Sequence, residues 1–249
     1  MYRVAAHIMD KRIDSMNMTT IDIAYEPMQA YINKKRKEGI NISHMALIIA
    51  AYLRTVSEFP ELNRFVVNKK IYARNEIAVS MVVLKGSIMD HGTMSKMYFT
   101  PDNNGTEKMI KFLLSVPGVL PVGVALFKFL DKHGLLPKFI IDMSPFHSSL
   151  LISNLASIRT NHIYHHVYEF GTTSIGITIG TSREIAKRKG GEIEFVKCMP
   201  MGVVMDERIC SGSYFALAFR RMKQFLKEPA LLEVPPETIT PDPNLKIKK

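Results

Sequence analysis

Apolar and polar residues alternate from Thr19 to Ile23, the period-two pattern of a half-buried strand. From Ala24 to Glu38 the period lengthens to that of a helix: Tyr25, Met28 and Ile32, with Tyr31 beside them, share one face, lysines take the other, and Gly39 ends the run. Ser43 stands as N-cap to HMALIIAAYLRTVSEF, which is apolar nearly all round and is expected in the core, with Pro60 at its end. RFVVNKKIYARNEIAVSMVVL reads as a hairpin turned at Asn68 and Lys69, then a long β-branched strand from Glu76 to Leu84. Gly86 to Gly105 is irregular apart from a short strand at MYFT, and Thr106 to His133 is helical in pattern but interrupted by Pro117, Gly118 and Pro121.

After Pro145 the pattern turns to strands: SSLLISNL, TTSIGITIG, and GGEIEFVKCMPMGVVMDE as a hairpin or strand pair opened by Gly190 and Gly191. The last amphipathic element, Tyr214 to Lys227, gathers Phe215, Ala218, Phe219, Met222, Phe225 and Leu226 on one face. The expected organisation is one domain over 1–228 and a Pro/Lys-rich tail over 229–249, extended or disordered. Helices early and mid-chain with long strands between them predict an α/β fold, a mixed or antiparallel sheet covered by helices.

Composition narrows the partners. The 249 residues are 47% hydrophobic, enough for a sizeable core, and 33 Lys and Arg against 23 Asp and Glu leave a charge of +10. The excess favours anionic ligands, but it is dispersed and lacks an aromatic-basic motif, which argues against nucleic acid. Two cysteines, Cys198 and Cys210, form neither a disulfide framework nor a CxxC pair, so a reducing, cytoplasmic setting is expected. The early charges of MYRVAAHIMDKRID do not fit a secretory signal. The uncharged run Phe112 to Phe127 is shorter than the ~20 residues of a membrane helix and is read as buried or interface-facing, so no membrane partner is expected; association with a membrane surface through this run, its flanking Lys111 and Lys128 and the basic excess is kept as a further alternative.

Four pieces together carry a family resemblance: the core helix ending in FPELNRF, the strand NEIAVSMVV, the strand LLISNL, and a late strand leading through MDERICSG into SYFALAFRRMKQFLKEP. From about Asp22 to Leu232 the chain resembles the catalytic domain of dihydrolipoamide acyltransferases of 2-oxo acid dehydrogenase complexes, and through it chloramphenicol acetyltransferase. Its NHIYHHVYEFG and MDERI segments are similar to those of a standalone bacterial branch, and no lipoyl-carrying segment is expected ahead of the domain. The resemblance implies a chloramphenicol acetyltransferase-like fold, transfer of an acyl group between coenzyme A and a thiol, hydroxyl, amine or lipoyl-type acceptor, and a homotrimer with each active site between two subunits.

In that family a histidine of an HxxxDG turn is the general base and a strand serine donates to the oxyanion. Ser153 matches the serine, with Asn154 beside it, and Gly212 matches the motif glycine. Glu207 stands where the histidine belongs and Ser211 where the aspartate belongs. A thiol near ~8.5 giving its proton to a carboxylate near ~4.3 goes uphill by about 6 kcal/mol, so glutamate is the poorer base. Substitute bases lie in NHIYHH, at His162, His165 and His166, and at His147. The plainer alternatives are a surface ion pair for Glu207, packing for the histidines, and backbone satisfaction for Ser153. No carboxylate or cysteine accompanies the histidines locally, so no metal is expected. The region between the NEIAVSMVV strand and the helix before PFHSSLLISN is short for the family, which bears on channel and trimer alike. The competing functional reading is a catalytically silent relative kept as a ligand-binding or assembly module.

Overall fold

The computed structural model describes residues 2–84, 92–98, 119–236, 240 and 242. A short helix α1 (Tyr2–Ile8), which the residue pattern does not announce, leads into β1 (Met16–Ala24), α2 (Tyr25–Lys37) and α3 (His44–Glu58). The Ser43 hydroxyl caps α3, accepting from the Ala46 amide at 3.1 Å. The hairpin β2 (Arg64–Val67) and β3 (Lys70–Ala73) turns at Asn68 and Lys69, both at positive φ, as the turn type requires. Then follow β4 (Ala78–Leu84), β5 (Gly92–Tyr98), α4 (Val119–His133), α5 (Lys138–Met143), β6 (Leu150–Asn154), β7 (Ile175–Ile179), β8 (Arg183–Lys189), β9 (Glu192–Asp206) and α6 (Gly212–Lys227). Most of the expected Thr106 to His133 helix and part of the Phe112 to Phe127 run lie outside the described residues; α4 covers their end.

Among the described residues the main sheet has the order β1-β9-β7-β6-β4-β5, with β8 on β9. It is mixed: β6 runs parallel to β4 and β7, and the other pairs are antiparallel. Two expectations change in detail. The short strand at MYFT is the end of a longer strand, β5, paired with β4. The segment opened by Gly190 and Gly191 is one 15-residue strand, β9, whose hairpin partner is the strand before the glycines, β8.

One face of the sheet carries Ile152, Ile175, Ile177, Met201, Val203 and Met205, and α3 and α6 cover it to form the core. Residues 160–174, without regular structure, form a strap over the other face. The Ile163 amide and carbonyl both bond to the Thr178 hydroxyl, and the Thr181 amide donates to the Thr160 carbonyl at 3.1 Å. Close approach explains two glycines under the strap: a Cβ on Gly202 would sit 2.2 Å from the Ile163 carbonyl oxygen, and one on Gly180 2.3 Å from the His162 nitrogen.

The described part of the expected tail packs on the body. Pro229–Leu232 forms a 3-10 turn with Pro229 buried, the Thr240 amide donates to the Ser57 carbonyl, and Asp242 pairs with Arg64.

Candidate functional site

The turn after β9 opens on a residue that the motif comparison passes over. Asp206 is 1% exposed and sits between two arginines. Arg208 meets it through two guanidinium bonds, at 2.9 and 2.7 Å, and the Ser15 hydroxyl donates to it at 3.0 Å. Arg12 adds an ionic contact at 3.7 Å without a hydrogen bond, since its buried Nε has no partner. Arg12 and Arg208 also donate to the carbonyls of Tyr168 and Met9, so the cluster ties the N-terminal segment, the strap and the end of β9 together. Burial pulls the Arg12 pKa down, and Asp206 opposes that fall.

Glu207 is exposed, and its carboxylate accepts one bond, from the Asn17 amide at 3.2 Å. Its expected partner Arg208 is committed to Asp206. Ser211 is the N-cap of α6, its hydroxyl accepting from the Tyr214 amide at 3.1 Å, and Gly212 begins that helix. The DERICSG turn therefore has a structural content: a buried ion cluster at one end and a helix cap at the other.

Ser153 is 7% exposed on β6, and its hydroxyl has no hydrogen-bond partner among the described residues. The strand register puts Ser153, Thr178, Gly202 and Thr20 in one row, on the face crossed by the strap. Asn154 pairs with Ile179 and points to the other face; its side-chain oxygen is buried without a partner among the described residues. Glu207 lies just past the end of β9, five positions beyond Gly202, and two strands from β6, which strand spacings convert to roughly 20 Å from Ser153. Within one chain these two residues do not share a site.

The histidines divide. His162 Nε2 lies 3.0 Å from the Thr20 hydroxyl, which Tyr164 also contacts, while its Nδ1 is buried without a partner. His165 and His166 stack with ring centroids 5.2 Å apart, and His165 Nδ1 is 2.9 Å from the His166 carbonyl. The strap has no helix, so these three do not line one helical face. Among the described residues no group of three or more His, Cys, Asp or Glu is placed to hold a metal.

His147 is buried outside this region, bonded to Asp131 and to the Ser144 hydroxyl, each at 2.9 Å. Asp131 also accepts from the Gly171 amide at 2.7 Å, which joins α4 to the end of the strap. Burial lowers the His147 pKa although Asp131 works against it. Burial also pulls nearby Lys96, which donates to the Ile141 carbonyl, down to about 8.

A groove of about 640 Å³ runs along the outer edge of β1 from the start of α6 to β8. Ile21, Phe215 and Phe219 line it with apolar surface; Lys187, Arg220 and Lys223 supply positive charge. The sequence offers no signal for this groove, because it follows from β1 being the sheet's edge.

No protein-family model and no curated protein sequence matches the chain. Solved structures do match. A probable dihydrolipoamide acetyltransferase from Listeria monocytogenes 4b F2365 is 15% identical over 91% of this chain and 88% of that one, with a TM-score of 0.58. The cubic core of a pyruvate dehydrogenase multienzyme complex is 11% identical over 94% and 88%, with a TM-score of 0.62. A chloramphenicol acetyltransferase is 13% identical over 91% and 95%, with a TM-score of 0.51. The chain therefore has the fold of the dihydrolipoamide acetyltransferase catalytic domain and chloramphenicol acetyltransferase, with its mixed sheet covered by helices. The Listeria structure and the chloramphenicol structure are named as acetyltransferases.

Proposed function

We propose that the protein is a CoA-dependent acyltransferase that moves an acyl group between a CoA thioester and a small thiol, hydroxyl, amine or lipoyl-type acceptor. The observation that carries the reading is the hydroxyl of Ser153, held on a buried strand with no hydrogen-bond partner among the described residues, where a strand serine would donate to the oxyanion. The strap histidines share its face of the sheet, so His165 or His166 is the better base within one chain. Glu207 would act only on the site of a second copy.

A second copy is part of this reading. The β8–β9 hairpin exposes Ile193 and Phe195 on one face, complementary in polarity to the apolar residues Ile21, Phe215 and Phe219 of the groove beside β1. β8 starts four residues after β7, the neighbour of Ser153's strand. A hairpin seated in the next copy's groove would bring the Ser153 end of one sheet toward the Glu207 and Gly212 end of the other. Repeated head to tail, such a contact closes into a ring, in keeping with a homotrimer. A cytoplasmic setting rests on the two free cysteines alone.

One observation favours the silent-module alternative: the turn that should hold the base is occupied by the Asp206 cluster and the Ser211 cap. Incubation with acetyl-CoA and a panel of thiols and amines separates the readings. Free CoA should appear above background, and Ser153→Ala should lower its rate by an order of magnitude or more. Background turnover, with CoA still raising the melting temperature, would favour the silent module.

A further inference from the structure

Leu126, Phe129 and His133 recur at helical spacing on α4, and the rings of Phe129 and His133 lie 4.4 Å apart. Asp131 is the buried position of this turn, about 140° round the helix from Leu126. The Leu126 and Phe129 stripe therefore faces away from the body of the protein. Leu135, in the turn after α4, and Phe139 on α5 extend the apolar surface; the four are 53 to 63% exposed within 14 residues. Single exposed apolar residues are ordinary, but such a gathering marks an interaction surface.

Charge indicates what covers it. Lys128, Lys132 and Lys138 are exposed beside the stripe; Asp131 is buried against His147, Asp142 on α5 is half-buried, and exposed Asp10, near Lys132, is paired with Lys69. Two copies meeting through this surface related by a twofold axis would set lysines against lysines. Anionic lipid headgroups would satisfy the lysines while the apolar side chains enter the headgroup boundary. The 15-residue α4 is too short to cross a bilayer, and among the described residues no helix is long and apolar enough to do so. We propose that α4 and α5 form a docking face for an anionic membrane surface, lying in its plane. This does not depend on acyl transfer.

Flotation of the full chain tests it, with vesicles of phosphatidylcholine alone and of phosphatidylcholine and phosphatidylglycerol in equal parts. The protein should float with the anionic vesicles only, and less as salt is raised. Phe129→Glu with Phe139→Glu should lower the bound fraction roughly tenfold or more. Lys128→Gln with Lys138→Gln, at exposed positions that leave the stripe intact, should weaken binding to anionic vesicles and reduce its salt dependence. Wild type staying in the bottom fraction with both vesicles, or both paired variants floating as wild type does, overturns the proposal. So does an absence of flotation accompanied by a change in solution mass in the phenylalanine variant, which would make this surface a contact between copies.

Discussion

Asp206 shows how a turn can keep a family-like outline and change its purpose. Its carboxylate is buried with two guanidinium groups, and removing one partner from such a cluster leaves charge without compensation. Asp206→Asn should therefore cost about 3–5 kcal/mol in urea unfolding. The neighbouring Glu207→Gln, at an exposed carboxylate with one bond, should stay within about 0.5 kcal/mol. Similar losses for the two variants would show that the arginines find other partners and that the cluster does not anchor the turn. Residue matching picks out Glu207 and Ser211 because it follows position in the motif. The burial that makes Asp206 the stronger group comes from Arg12 and Ser15, nearly 200 residues away in sequence, and no local pattern reports it.

At the scale of elements, what was legible is what has a period. The alternation of β1 and the amphipathic α6 each follow from one apolar face, and the apolar run of β7 from burial on both, so their residues announce them. β8, REIAKRK, is exposed at all but one position; it exists through pairing with β9 and has no apolar signal of its own. The strap is equally silent, and its trace lies in the strands beneath it, where Gly176, Thr178, Gly180 and Gly202 keep one face low. That dependence can be measured. Gly202→Ala places a methyl against the Ile163 carbonyl and crowds the Thr178 hydroxyl, at a cost of roughly 1–3 kcal/mol. Hydrogen exchange at the Ile163 amide, which donates to Thr178, should quicken with it. Unchanged exchange there would mean that the strap is held chiefly by its ends.

Over the whole molecule, the fold class was readable, but the strand directions and the meeting of distant segments were not, and the Asp131 and His147 junction is the clearest case. Asp131 on α4 takes a bond from His147, just before β6, and another from Gly171 at the end of the strap, joining three segments at one buried point. Burial keeps His147 neutral in the folded protein below its ordinary value of 6.5, so the unfolded chain binds the extra proton first as the pH falls. The junction's contribution is thus complete above about 6.5 and declines below it, by at most about 1.4 kcal/mol per pH unit for a single proton. The melting temperature should accordingly fall between pH 7.5 and 5.5, a window above the titration of ordinary carboxylates. His147→Gln removes the titrating ring while an amide can still donate to Asp131; it should melt lower at pH 7.5 and show a flatter profile. An equally steep fall in that variant would place the proton uptake elsewhere and leave His147 as packing alone.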